Sequence, residues 1–338
     1  MTAITPRERV WQAIRHQQPD RVPYHFGFTV PARRKAEAYY GTTDLDRLLG
    51  NHLLIYSTRR HAAWEELRPG FWRDEFGVIW NRTIDVDIGV VDHYPLKGRS
   101  LEGCTLPDSR DPRRYQQLPA LIAANPERFR IVQIGFSLFE RAWSLRNMPE
   151  LLVDMLEAPQ WVDELLDTIT EFDLGLIAQA LQYDIDAILF GDDWGHQQGL
   201  LMGPHLWRRF IKPRLRVLYA AVKRAGKVVF IHSCGKVQEL SPELIELGLD
   251  VFNPLQPEVM DPYGIKRRFG RELSFYGGMS IQRVLPHGTP QEVRDEARRL
   301  MDQVGRGGGY IIAPSHDMPG DIPIENMVAF FDAVRESA

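Results

Sequence analysis

From Arg130 onward the chain repeats one unit. An unbroken apolar run is followed by a stretch with helical spacing, and then another run begins. The runs read RIVQIGF, DAILFGDDW, KVVFIHSCG, LDVFNPLQ, ELSFYGGM and GGYIIAPSHD. Their apolar residues are consecutive rather than alternating, as a strand covered on both faces requires. Strands of that kind, separated by helices, fold as βα units around a parallel sheet. An earlier run, DRVPYHF from Asp20, supplies a first strand, and about eight such units fit the 338 residues. The expected fold is therefore α/β, a closed (β/α)8 TIM barrel forming one domain over residues 1–338. An open doubly wound sheet is the runner-up. It is disfavoured because no G-x-G-x-x-G follows an early strand.

Helix punctuation supports the count. Thr5-Pro6 opens a first helix on which Val10, Trp11 and Ile14 share a face, and Thr289-Pro290 opens another. Residues 1–125 hold more than one barrel strand needs. The piece DEFGVIWNRTIDVDIGVVDHYPL and its proline-rich surroundings are expected to add helices and strands around the barrel mouth.

The charge balance is 41 basic against 45 acidic residues, so nothing draws the chain to nucleic acid or to an anionic membrane. Cys104 and Cys234 are the only cysteines and stand far apart, so no disulfide is expected. No signal-like or membrane-length apolar segment is present, and the expected location is cytoplasmic.

In a barrel of this kind the chemistry sits at the C-terminal ends of the strands. Those ends here read GDDWGHQ, IHSCG, NPLQ, YGGM and APSHD, rich in acids and metal-capable side chains. In extended chain, residues i and i+2 face the same way, so His232 and Cys234 project to one spot. Imidazole and thiolate together suit Zn²⁺, and three protein ligands with an open fourth position form a catalytic zinc site. His316, at the end of the last strand, is the third expected ligand. Asp192 and Asp193 are the candidate catalytic acids, either handling a proton or holding a histidine from behind. The expected substrate contacts are Tyr24, Phe26, Phe28, Trp194, Asn253, Gln256 and Met279, with Trp72 and Trp80 as further aromatic candidates. A Cys234 nucleophile paired with His316 or His196 is an open alternative.

These motifs together resemble the uroporphyrinogen decarboxylase-like superfamily, and in particular its corrinoid-linked methyltransferase branch, which includes methylcobalamin:coenzyme M methyltransferases and O-demethylase components. The resemblance runs over nearly the whole chain. It is carried by RERVWQAIRHQQPDRVP, DEFGVIW, GDDWGHQQGLLMGPHLWRRFIKPRL, HSCG, ELGLDVFNPLQ, YGGMSIQRVLPHGTPQEV and GGGYIIAPSHDMPGDIPIENM. It implies the barrel, and a zinc site of H-x-C plus a ligand from the last strand. His232 and Cys234 match the first two positions. The third is cysteine in many thiol-methylating members, whereas His316 stands at the matching place here.

The porphyrinogen decarboxylases of the superfamily carry an R-Q-A-G-R type segment after the first strand. This chain has HFGFTVPARR there and no evident F-S-D-I aspartate segment, which argues against tetrapyrrole decarboxylation. The resemblance thus implies transfer of a methyl group between a small O-, N- or S-methyl compound, or a thiol acceptor, and a corrinoid. None of the ten histidines has aspartate two residues before it, so no D-x-H-x-x-G corrinoid ligand is present. The corrinoid is then expected on a partner protein that docks over an open mouth. The expected partners are that corrinoid protein and a small-molecule substrate, with a homodimer allowed. The alternative is a lyase or decarboxylase acting on a smaller carboxylated substrate, whose mark would be Arg33, Arg59 or Arg73 converging on the mouth.

Overall fold

The computed structural model describes residues 4–102 and 106–336; Cys104 lies outside them. Its centre is a seven-stranded parallel sheet: β1 (Leu53–Ser57), β2 (Phe129–Ile134), β3 (Ala187–Gly191), β4 (Val228–His232), β5 (Val251–Leu255), β6 (Ser274–Met279) and β7 (Tyr310–Pro314). Each strand pairs only with its neighbours in chain order, from β1 to β7. A doubly wound sheet reverses direction partway across. This sheet does not, so the runner-up expectation is set aside.

The first apolar run departs from expectation. DRVPYHF forms no strand of its own but makes a single parallel bridge, Tyr24 to Ile312 on β7. The Ile312 N–H donates to Pro23 O at 2.9 Å, and the His52 N–H, just before β1, donates to Tyr24 O at 3.1 Å. This short segment therefore touches both outer strands of the curled sheet. Pro23 lacks an N–H, which limits how far a ladder can extend there.

Side chains on the sheet alternate between two apolar layers. One layer gathers Phe129, Ile131, Leu189, Phe230 and Ile311 with Val10 and Ile14 of the first helix, Pro6–Ile14. The other gathers Val132, Phe190, Ile231 and Phe252 against the surrounding helices. Thr5 and Glu8 form a full capping box at the start of Pro6–Ile14, and Thr289 with Glu292 does the same for Pro290–Gln303. The segment over 203–224 is helical with one irregularity. A π turn at Trp207–Ile211 precedes Lys212–Arg224. Pro213 has no N–H to offer the preceding turn, and the wider turn absorbs the loss.

The extended piece in the first third becomes a four-stranded antiparallel sheet, Trp64–Arg68, Phe71–Asp74, Ile79–Asn81 and Val90–His93. Asp74 fixes its turn. The Asp74 carboxylate accepts from Phe76 N, Val78 N and Trp80 Nε1, each at 3.0 Å, and lies 3.4 Å from Arg141 on the helix after β2. Among the described residues no helix is long and apolar enough to cross a membrane.

Candidate metal centre

β4 carries Phe230 and His232 inward on the same face as the interior apolar layer, and the chain then turns through Ser233 and Cys234. The turn is held at four points. Asp193 Oδ1 accepts from Cys234 N at 2.7 Å, Gln256 Oε1 accepts from Gly235 N at 3.0 Å, Ser233 Oγ accepts from Trp194 N at 3.0 Å, and Asn253 O accepts from Ser233 N at 2.8 Å. Gly235 has φ +89°, and a Cβ there would lie 2.3 Å from the Gly195 carbonyl carbon. Only glycine allows the 195–196 hairpin to approach so closely.

Ligand-capable atoms of His232, Cys234 and His316 all lie within 4.8 Å of one another. Cys234 Sγ is 3.4 Å from His232 Nε2, and the two histidine rings meet edge to face at 5.4 Å. Asn253 Oδ1 sits 2.6 Å from His232 Nδ1. Since Asn253 also donates from Nδ2 to Tyr276 O at 3.0 Å, its oxygen is the end turned to the ring. His232 Nδ1 therefore carries the proton, and Nε2 presents its lone pair to Cys234 and to the space between the three residues.

The electrostatics fit a cation. Burial, reinforced by Asp193 and Glu140, pushes the Cys234 thiol up, so by itself it is neither a thiolate nor an activated nucleophile. A divalent ion would reverse this by favouring the thiolate. Desolvation and the neighbouring His232 lower the His316 pKa, in the direction of the neutral ring that a ligand needs. His196, the other base considered for a Cys234 nucleophile, is exposed on the small hairpin, where its Nδ1 accepts from Gln198 N.

The two aspartates divide. Asp193 Oδ1 is 3.8 Å from His232 Nε2 and borders the cluster. Asp192 is fully buried and points away. It accepts from Glu140 N at 2.7 Å and from Trp194 Nε1 at 2.5 Å, and burial raises its pKa to about 7. It ties the helix after β2 to the loop after β3. Trp194 is likewise fully buried, against Trp207. Asn253 and Gln256 both come to the cluster, but they hold His232 and Gly235.

The remaining expected contacts are not brought there. Tyr24, Phe26 and Phe28 lie in the outer layer, where Phe26 packs on Phe330 and Phe331, Phe28 on Phe331, and Tyr24 on His52. Met279 is buried in the same layer. Trp80 is buried with its indole on Asp74, and Trp72 faces it across the antiparallel sheet. The physical reason is the two-residue period of extended chain: three aromatics at i, i+2 and i+4 share a face, and this one faces the terminal helix.

The same period shows what the sequence reading missed. His25 lies on the opposite face from Tyr24 and Phe26, and its Nδ1 meets Tyr276 Oη at 2.8 Å. Glu140, in FSLFERAW after β2, was missed as well. Burial raises its pKa well above the carboxylate range, with Asp193 and Asp192 adding to the rise and His232 and Arg59 opposing it. An acid shortly after a strand end was the available signal.

A family model described as uroporphyrinogen decarboxylase (URO-D) matches residues 133–337, and the chain belongs to that family. It is 22% identical over 179 residues to the methylated-thiol–coenzyme M methyltransferase of Methanosarcina mazei, a match covering 53% of this chain and 46% of that protein. It is 23% identical over 263 residues to the uroporphyrinogen decarboxylase of Methylococcus capsulatus, covering 72% of this chain and 70% of that one. The chain spans about half the length of several of the curated relatives it matches. Its fold matches a solved methyltransferase from Methanosarcina mazei with a TM-score of 0.71 at 16% identity, over 99% of both chains.

Proposed function

We propose that this protein is a cytoplasmic, metal-dependent methyltransferase that moves a methyl group between a small methylated compound and a corrinoid held by a partner protein. The observation that carries the reading is the convergence of His232, Cys234 and His316 at strand ends in a chain of this family. The name of the methylated-thiol–coenzyme M methyltransferase among its relatives supports it. Three ligands of nitrogen and sulfur, with no fourth donor in the group among the described residues, suit zinc with one position left for substrate. A zinc ion held by these three residues would supply Lewis acidity to a substrate heteroatom.

The chain's own residues do the rest. Asn253 fixes the His232 ring so that Nε2 is the ligating atom. Asp193 and Gln256 hold the Cys234 turn by its backbone, with the sulfur 3.4 Å from His232 Nε2. Two neutral imidazoles and one thiolate would leave more net positive charge at a bound ion than two thiolates would, which would favour polarising an ether or amine. The fold that serves this chemistry is a closed eight-unit barrel in one domain. The Tyr24 segment acts as the closing element between β7 and β1, and the antiparallel sheet elaborates the mouth.

Elemental analysis of the purified protein beside Cys234→Ser and His316→Ala tests the metal. Near-stoichiometric zinc, lost in both variants, is expected. Native protein that takes up no metal when zinc is offered would overturn the mechanism. Methyl exchange with methylcobalamin or free cob(I)alamin, followed by the cobalamin absorbance, then tests the transfer.

The lyase alternative asked for arginines converging on the mouth. Arg33 is engaged with Asp46 and Glu37, and Arg73 pairs with Glu65 at the surface. Neither joins Arg59.

A further inference from the structure

Arg59 follows β1 at the end of the sheet where the cluster lies. Its guanidinium rests against three aromatic rings, 5.3 Å from the centroid of Trp64, 4.8 Å from Trp80 and 4.3 Å from Phe136. Its Nε and Nη2 are buried and have no hydrogen-bond partner. No ion pair to Arg59 occurs among the described residues, although most of the protein's other half-buried arginines have one. A buried cation whose donors are unmatched is costly unless an anion completes it.

The neighbouring charges do not complete it. Arg59 borders a cavity of about 20 Å³ between the barrel and the antiparallel sheet, which Arg114, Arg141, Asp74, Glu75 and Asp173 also line. Arg114 is closed by Glu75 in a two-point contact, and Arg141 stands against Asp74. Asp173, fully enclosed, is held toward its neutral form by burial. Three guanidinium groups thus face two committed carboxylates, and the positive charge left over is that of Arg59. Arg82, on the Trp64 ring at 4.4 Å, adds a second cation nearby, with Asp85 and Asp87 in its own field. Arg59 follows β1 as Cys234 follows β4, so both stand beyond the C-terminal ends of strands in one parallel sheet.

We propose that Arg59 anchors a carboxylate of the substrate, so that the methylated compound drawn to His232, Cys234 and His316 is an acid. The fork of Nε and Nη2 matches the two oxygens of a carboxylate. The cavity has room for one or two water-sized atoms, enough for the oxygens of a carboxylate that reaches Arg59. This identity of the substrate class rests on the mouth being the reaction site, whereas the anion site itself does not depend on the metal.

Calorimetric titration with benzoate and with benzamide separates the two questions. It is run on the whole protein, chelator-treated and zinc-replete, in native, Arg59→Gln and Arg59→Lys forms whose thermal unfolding shows that they are folded. Benzoate is expected to bind the native protein about 10-fold or more tightly than benzamide, with or without zinc. Arg59→Gln is expected to lose the difference and Arg59→Lys to keep part of it. Absent benzoate binding, equal binding of acid and amide, or a preference that survives in Arg59→Gln would each overturn the proposal. Failure of the zinc or methyl-transfer reading would leave the zinc-free preference intact.

Discussion

His232 Nδ1 and Asn253 Oδ1 stand 2.6 Å apart, across neighbouring strands whose register places the two residues side by side. The amide is fixed from behind by its own bond to Tyr276 O, so it acts as a brace that sets both the tautomer and the plane of the imidazole. Asn253→Ala should therefore weaken zinc binding by roughly 10–100-fold, and Asn253→Asp should retain most of it. Competition against a chromophoric chelator gives the affinity. An unchanged value in Asn253→Ala would show that His232 is oriented by something else.

The close approach of Gly235 to the 195–196 hairpin predicts a different failure. Gly235→Ala places a methyl group against the Gly195 and His196 backbone and forces an alanine to φ +89°. The expected cost is about 1–3 kcal/mol or more in urea unfolding, together with loss of bound zinc, because the Cys234 turn must move. A variant that keeps both its stability and its metal would mean that the turn has room to spare.

Asp74 ties the antiparallel sheet to the barrel. Its carboxylate serves two backbone N–H groups, one indole and Arg141, all of them buried. Asp74→Ala leaves a buried guanidinium without its partner and should cost about 3–5 kcal/mol, measured by chemical denaturation. A loss below about 1 kcal/mol, the level of an exposed pair, would show that the sheet is held by its apolar contacts alone.

His52 gives a pH signature that does not involve the cluster. It is buried beside Tyr24, its Nδ1 accepts from Tyr24 N at 3.3 Å, and burial lowers its pKa to about 3. Between that value and the ordinary 6.5 the unfolded chain binds the proton and the folded one does not. The stabilisation is therefore complete above 6.5 and is lost as pH falls toward 3, by up to about 1.4 kcal/mol per pH unit. In thermal unfolding from pH 7 down to pH 4.5, His52→Gln should lose less stability than the native protein. Parallel curves for the two would rule out His52 as a source of acid sensitivity.

Much of this was legible in the sequence. Five of the seven parallel strands lie inside runs read from the chain and β2 overlaps a sixth, because a strand buried on both faces must be apolar at every position, and few other structures need that. Thr5-Pro6 and Thr289-Pro290 marked helix starts because capping is local chemistry. The spacing of His232 and Cys234 implied a shared direction, and His316 joined them because all the strand ends in a parallel sheet of this order open on one side. β1 was missed. Its residues, LLIYS, are one short run among helices and loops, and nothing local distinguishes it from the strands of the antiparallel sheet that follow.

What the sequence by itself determined was periodicity and punctuation: the repeating βα unit, the apolar faces, and the chemical kinds of residue at the strand ends. What the tertiary structure alone decided was direction and company. Tyr24, Phe26 and Phe28 could have faced either layer; packing against Phe330 and Phe331, three hundred residues away, turned them outward and left His25 inside. Asn253 and Gln256 could have touched a ligand; the register of β4 on β5 set them to holding the ligand loop instead. Arg59 was one of three arginines the sequence offered for the mouth; only burial showed its Nε and Nη2 without a hydrogen-bond partner. A two-residue period fixes which side chains share a face. Which face meets the core, and which charge is left unpaired, depends on contacts between residues far apart in the chain.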